Sequence, residues 1–178
     1  MGIKGMGIPA WHPQAFDALG IQYATSITGA SHTKSTMPFY EGRMDPAYFV
    51  EYTVKDQDYL ATADSGVLCW IIYHGPQWSE KMAQWLTYVT GNAFTKETLD
   101  PLGERIWNLE KLFNIKAGVE KDALPPRITQ EPRVKNRVIE LDRLLAEYYR
   151  WREWDSDGKP TKEKLKKLNL EKEGEGVI

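Results

Sequence analysis

Two long runs of apolar residues at helical spacing constrain the fold of this chain more than any other feature. Over residues 95–116 the apolar side chains recur at three- and four-residue steps, as on one face of an amphipathic helix: Leu102, Ile106, Leu109, Leu112 and Phe113. Thr95 is a suitable N-cap and Gly118 a suitable stop. A second long helix is predicted over residues 134–152, and no stretch alternates at period two for long enough to predict a strand. The predicted fold class is all-α, a multi-helix domain.

Shorter helices are predicted before these two. One begins near Pro13 and enters the segment 24–36, which consists almost wholly of small and hydroxyl residues. Another follows Pro46, and a third is capped by Ser79 and ends at Gly91.

The segment DSGVLC, residues 64–69, contains the single cysteine of the chain. Asp64 is predicted to cap the N-terminus of a helix that carries Leu68, Cys69 and Ile72 and ends at the Gly-Pro pair 75–76.

The C-terminal part is predicted to hold a loop over residues 119–133 and a short helix over 161–168. Residues 171–178 are predicted to be a flexible tail. The expected organisation is one helical domain over 1–170 followed by that tail.

Composition narrows the functional classes. The 178 residues include 23 Lys and Arg against 25 Asp and Glu, so a net charge of −2 gives no electrostatic reason to expect nucleic-acid binding. No apolar stretch reaches the roughly 20 residues that a membrane span needs. One cysteine cannot form an intrachain disulfide and suits a reducing compartment. A cytoplasmic protein that binds neither nucleic acid nor membrane is expected.

Local motifs alone do not identify an active site. No pair among the single Cys and three His has the spacing of a zinc finger or an HExxH helix, and no phosphate-binding glycine motif occurs. Taken singly, Cys69 is most simply a small buried hydrophobe and His32 a hydrogen-bonded structural residue. Lys34 alone would be a solvated charge, and Asp64 a helix cap.

Four stretches in series change this interpretation. The first joins KGMGIPAWHPQAF to YATSITGASHTKS, similar to a family pattern KGMEVPxxDPR…YATSxRGxxHxK. The second is DSGVLC, similar to DxxGLC. The third is GERIWNLEKLFNIKAGVEKDALPPR, similar to GERixNLeRxFNxreG…DxLPxR, and the last is LLAEYYRWREWDSDGKPTKEKLKKLNL, similar to mLdeYYxxRGWdxxGxPtxekLxxLgL. Together they resemble the C-terminal helical domain of the tungsten-containing aldehyde ferredoxin oxidoreductase family.

The resemblance implies a role for five residues. Cys69 takes the position of the family cysteine that supplies the fourth thiolate of a [4Fe–4S] cluster. Asp64 and Leu68 take positions that hold a pterin of the tungsten cofactor, and Lys34 takes another pterin-contact position. His32 takes the position of a histidine beside the metal that assists proton transfer at the substrate.

The resemblance also implies cofactors, a reaction and partners. The cofactors are a tungsten bis-pterin and a [4Fe–4S] cluster, and the reaction is the oxidation of an aldehyde to a carboxylic acid with ferredoxin as electron acceptor. The family's other three cluster cysteines lie in an upstream CxxCxxxC run, which these 178 residues do not contain. The implied partner is an N-terminal half or subunit that binds the tungstopterin and shares the cluster.

This sequence departs from the family pattern at specific positions. Thr28 stands where the family has an arginine, which removes a cation expected near the cofactor. The glycine of the family pattern DxxGLC is shifted by one position: this chain has Gly66 followed by Val67. The shift predicts a different backbone path through this segment. Glu153 stands where the family usually has glycine.

Three functional alternatives follow. The chain is a domain, fragment or split subunit of the aldehyde-oxidising enzyme, or it belongs to a tungsten subunit of an aromatic-ring (benzoyl-CoA type) reductase. Alternatively it is a stand-alone, non-catalytic helical interaction domain with a vestigial site. The last alternative would be favoured if Cys69 were buried against aliphatic side chains and His32 faced solvent.

Overall fold

The fold, given by a computed structural model, consists mainly of helices, which confirms the all-α prediction. The structure describes residues 1–35, 45–69, 77–119, 121–132 and 136–178. The elements are β1 (Gly2–Ile3), β2 (Met6–Gly7), α1 (Asp17–Thr25), α2 (Pro46–Ser65), α3 (Gln77–Thr90), α4 (Lys96–Lys116), α5 (Pro126–Gln130), α6 (Leu141–Arg152), α7 (Lys162–Lys167) and α8 (Glu171–Gly174). The antiparallel hairpin β1–β2, where no strand was predicted, pairs Gly2 with Gly7 and Ile3 with Met6.

Helix α2 lies at the centre of the molecule and packs against α1, α4 and α6. It approaches α4 closely at Gly103, where a Cβ atom would lie only 2.0 Å from the carbonyl oxygen of Asp58. Glycine is required there because any side chain would separate the two helices. Trp107 and Tyr148 are fully buried beside this crossing, and Trp107 Nε1 donates a hydrogen bond to the Tyr148 hydroxyl at 3.1 Å.

A buried polar network joins α2 and α6. Arg152 is fully buried and donates to Asp58, to the carbonyl oxygen of Val54 and to Gln57 Oε1. The Tyr148 hydroxyl also donates to Gln57, at 2.6 Å, and burial raises the pKa of Tyr148 to about 12. Because each partner satisfies the others, the network holds α2 in one position relative to α6.

Several predicted helix boundaries need correction. Helix α2 begins at Pro46 as predicted but continues to Ser65, so the prediction of Asp64 as an N-cap is wrong. Ser79 lies inside α3, which begins at Gln77, so its prediction as an N-cap is also wrong. The second long helix begins at Leu141 rather than near residue 134. Much of the helix predicted to follow Asp64 falls on residues 70–76, outside the described residues.

Helix α4 follows Thr95 and precedes the positive-φ Gly118, as predicted. Its predicted apolar face is only partly correct, because Phe113 is 72% exposed and Leu109 38% exposed. The residues buried on α4 are Leu99, Gly103, Trp107, Asn108, Lys111, Leu112 and Ile115. The buried stripe includes a glycine and two polar residues, which a search for apolar periodicity does not find.

The last eight residues were predicted to be a flexible tail. Residues 171–174 form α8, Gly174 is buried against Leu165, and Val177 packs on the small apolar cluster of Leu112, Leu165, Leu168 and Leu170. The boundary of the domain at residue 170 stays a prediction.

Candidate functional site

The segment DSGVLC forms the C-terminal cap of α2. The Val67 amide donates to the Asp64 carbonyl oxygen at 3.0 Å, and the Leu68 amide donates to the Ala63 carbonyl oxygen at 3.0 Å. Val67 has φ +57°, and Leu68 packs against the cluster that contains Ala63. These two bonds, a left-handed residue and an apolar contact define a Schellman motif. The motif directs the chain out of the helix and leaves Cys69 exposed immediately beyond it.

The left-handed conformation at Val67 answers the question raised by the displaced glycine. Gly66 has an ordinary φ of −81°, and a Cβ atom there would lie 2.7 Å from the Met82 methyl group. A side chain at 66 would therefore require the Met82 methyl group to shift, while the conformation that favours glycine occurs at 67.

Lys34 and Asp64 form an ion pair between the loop after α1 and the last turn of α2. Their side chains are 21% and 40% exposed, so the pair lies at the surface but is partly shielded. A carboxylate at a helix C-terminus faces the negative end of the helix dipole, which is unfavourable. Lys34 offsets this repulsion, and the pair places a donor and an acceptor side by side.

The loop that holds Lys34 is made of small residues because it packs closely against the N-terminal hairpin. Gly29 has φ +98°, and a Cβ atom there would lie 2.5 Å from the carbonyl oxygen of Ile3. Farther along, His32 and Lys34 are half-buried, and Ser35 Oγ donates to Asp56 of α2 at 3.1 Å. The loop is thus fixed to β1 at one end and to α2 at the other.

Glu110 of α4 is a charged neighbour of this pair that sequence reasoning missed. Burial raises the pKa of its carboxyl group, while the positive charge of Lys34 lowers that pKa and the negative charge of Asp64 raises it. The available signal was its place in α4 on the same side as Gly103, seven positions earlier, since residues seven apart share a helix face.

The structure brings some of the predicted site residues together. Lys34 and Asp64 are in direct contact, and Leu68 and Cys69 follow Asp64 in the same helix cap. His32 precedes Lys34 by two positions in the same half-buried loop. Thr28, where an arginine was expected, is exposed, and its hydroxyl lies 3.5 Å from Ser26 Oγ.

The chemistry of these groups fits part of a cofactor site. Lys34 can donate hydrogen bonds and Asp64 can accept them, the complement that a pterin with ring N–H groups and oxygens requires. An exposed cysteine can supply one thiolate of the four that an iron–sulfur cluster needs. Across the described ranges, no group of three His, Cys, Asp or Glu side chains could hold a metal ion. The donor set fits one wall of such a site.

Among the residues that the structure describes, no helix combines the length and apolar character needed to cross a bilayer.

Comparison with known proteins gives a consistent result. The family model described as aldehyde ferredoxin oxidoreductase, domains 2 and 3, matches residues 1–170. The chain is 36% identical over 187 residues to a protein from Pyrococcus abyssi, 35% over 186 residues to one from Pyrococcus furiosus and 33% over 186 residues to one from Thermococcus kodakarensis. Each of the three is named tungsten-containing aldehyde ferredoxin oxidoreductase. Each alignment covers 96% of this chain but 31% of the relative, so the chain spans about a third of their length.

Proposed function

Because the chain belongs to the aldehyde ferredoxin oxidoreductase family, we propose that it supplies the C-terminal wall of a tungsten-pterin, [4Fe–4S] oxidoreductase. The proposed reaction converts an aldehyde and water into a carboxylic acid, two protons and two electrons, and the electrons pass to ferredoxin. The remaining two-thirds of the enzyme, as a longer chain or a separate cytoplasmic subunit, supplies the other cluster cysteines and most of the cofactor site.

The observation that carries this proposal is the arrangement of Lys34, Asp64 and Cys69. The ion pair places a donor and an acceptor at the end of α2, and the Schellman cap fixes Cys69 five positions beyond Asp64. Nothing in the stability of the chain alone requires a carboxylate at a helix C-terminus or an exposed thiol. Both features are useful if a pterin and a cluster lie against this surface.

Each residue has a distinct proposed role. Lys34 and Asp64 hold a pterin through donated and accepted hydrogen bonds, and Leu68 fixes the backbone of the cap through its contact with the Ala63 cluster. Cys69 provides one thiolate to the cluster. His32 moves a proton at the substrate, since an imidazole can accept or donate one near neutral pH. When bound, the tungsten cofactor supplies the two-electron redox chemistry.

The exposure of Cys69 favours the enzymatic alternative over a helical interaction module. A vestigial site would leave no reason to keep the thiol in solvent, and an unliganded cysteine is more often buried as a small apolar residue. His32 is half-buried rather than facing solvent. Neither condition that would favour the module is met.

The test is the metal content of the assembled enzyme. The chain, tagged and purified from its native cells with its partner, should contain about four irons per chain together with tungsten. Cys69→Ser should lower the iron content because the cluster loses one of four thiolates.

His32→Ala is the matched control for that measurement. It should lower aldehyde turnover but leave both iron and tungsten at wild-type amounts, because His32 is assigned to proton transfer rather than to metal binding. An unchanged iron content in Cys69→Ser, or a metal-free wild-type complex, would refute the proposed function.

A further inference from the structure

The loop of residues 26–35 has an unusual base. Ser26 is fully buried and Ile27 nearly so, and both follow the last residue of α1. The Ser26 carbonyl oxygen accepts a long backbone hydrogen bond, 3.4 Å from the Gly29 amide. A buried carbonyl oxygen needs a donor. Lys4 Nζ donates to the Ser26 carbonyl oxygen at 2.8 Å, and Asn114 Nδ2 donates to the Ile27 carbonyl oxygen at 2.8 Å. Two successive carbonyl groups are thus each held by a side chain from a different element.

The N-terminal hairpin directs Lys4 inward. Lys4 and Gly5 form the two-residue turn between the paired residues Ile3 and Met6, with φ values of +48° and +81°. Two positive φ values are typical of the type I′ turn that joins tight hairpins. A lysine at the tip of a hairpin would ordinarily extend into solvent, but the side chain of Lys4 is only 5% exposed.

The inner end of Lys4 is fixed by a buried carboxylate. Lys4 Nζ lies 2.7 Å from one oxygen of Asp122, while Lys111 Nζ lies 2.9 Å from the other. The Tyr149 hydroxyl also donates to Asp122, at 3.2 Å. The side chains of Asp122 and Lys111 are no more than 2% exposed. Removing Asp122 would leave two buried ammonium groups without this counter-ion, whereas removing Lys4 would still leave the ion pair of Lys111 with Asp122. The cluster joins the hairpin to α4 and α6 beneath the loop.

We propose that Lys4 and Asn114 are positioning residues of the candidate site. By holding the Ser26 and Ile27 carbonyl groups, they fix the base of the loop so that Lys34 reaches Asp64 at its far end. The close contact of Gly29 with the hairpin supports the same role. The relevance of this positioning to catalysis rests on the proposed function, whereas the positioning itself can be tested on the chain alone.

The test is residue-resolved amide hydrogen exchange of the full chain by NMR. Lys4→Met should speed exchange at the hydrogen-bonded amides of Gly29 and Ser31 by at least about tenfold more than at the Leu165 amide of the α7 turn. Lys164→Met is the matched control, because Lys164 is also buried and pairs with two glutamates, but it lies in α7. In that variant the Leu165 amide should be the one that exchanges faster.

This crossed design separates positioning from a loss of overall stability, which would speed all three amides together. Equal acceleration at Gly29, Ser31 and Leu165 in Lys4→Met would overturn the proposal. If Lys4→Met does not fold, Asn114→Ala replaces it, because this change removes the single hydrogen bond to the Ile27 carbonyl oxygen. Faster exchange at Gly29 and Ser31 than at Leu165 would again support the proposal, and equal acceleration would overturn it. The outcome is independent of the metal measurement, so a metal-free chain with the expected exchange pattern would refute only the proposed function.

Discussion

Replacing Val67 by glycine should make the chain more stable. A residue other than glycine in the left-handed region costs about 1–2 kcal/mol, and a β-branched side chain is especially unfavourable there. Val67 has φ +57° and is 91% exposed, so its side chain recovers almost nothing by burial within this chain. Glycine also raises the conformational entropy of the unfolded chain, which lowers the free energy of unfolding by about 0.4–1 kcal/mol. The expected net gain is about 1 kcal/mol, or a rise in Tm of about 2–4 °C for a chain of this size.

The assay is thermal and urea unfolding of wild type, Val67→Gly and a matched control, Val138→Gly. Val138 is also exposed and lies outside any helix, but its φ is not positive. Its replacement should therefore show only the entropic penalty and lower stability by about 0.5–1 kcal/mol. The two valine-to-glycine changes should shift Tm in opposite directions. Equal losses in both variants would mean that residue 67 is not held in the left-handed conformation, and the Schellman cap would be refuted.

Two further predictions concern Glu110 and the crossing of α2 with α4. Lys34→Met should raise the pKa of Glu110 and Asp64→Asn should lower that pKa, as followed by carbon NMR of the Glu110 carboxyl group. Shifts in the opposite directions would show that Glu110 does not interact electrostatically with the ion pair of Lys34 and Asp64. Because burial raises the pKa of Glu110 above its usual range, Glu110→Gln should stabilise the chain at neutral pH, with the gain lost as pH falls through that pKa in urea titrations. Gly103→Ala should cost about 1–3 kcal/mol in urea unfolding, since its Cβ would lie 2.0 Å from a backbone oxygen of α2. Gly7→Ala, which meets nothing within 4 Å, should be nearly neutral; equal effects would contradict the close helix crossing.

Features of the fold that depend on interactions between neighbouring residues could be predicted from the sequence, whereas features that depend on contacts between distant residues could not. Helix α4 was predicted within a residue because Thr95 and Gly118 act through neighbouring backbone groups. Its buried face was predicted poorly because Gly103 and Lys111 are buried by contacts with α2 and Asp122, which lie outside the helix. Periodicity records which residues are apolar, whereas burial depends on what the rest of the chain places opposite them.

The two glycine positions of the family pattern illustrate the same limit. Val67 and Glu153 stand where that pattern has glycine, and both have positive φ, at +57° and +55°. The displaced glycine predicted a changed backbone path at 66–67, and the structure places the left-handed conformation, which favours glycine, at Val67 and at Glu153. For Glu153 the compensation is visible, because it pairs with Lys164 and Lys167. For Val67 no such ion pair occurs within the described residues, and this strained position adjoins the proposed site.

The wrong prediction for Asp64 has a physical cause that bears on function. Aspartate is favoured before a helix and disfavoured in its last turn, so local propensity placed a helix start where α2 ends. The residue that makes this position tolerable, Lys34, lies 30 positions earlier and acts only after the loop has folded against α2. Residues 64–69 break three local preferences: a carboxylate in the last turn of a helix, a valine with positive φ and an exposed thiol. Such concentrated departures are expected where a surface is shaped for a ligand rather than for stability. These departures support the proposal that the end of α2 faces a cofactor.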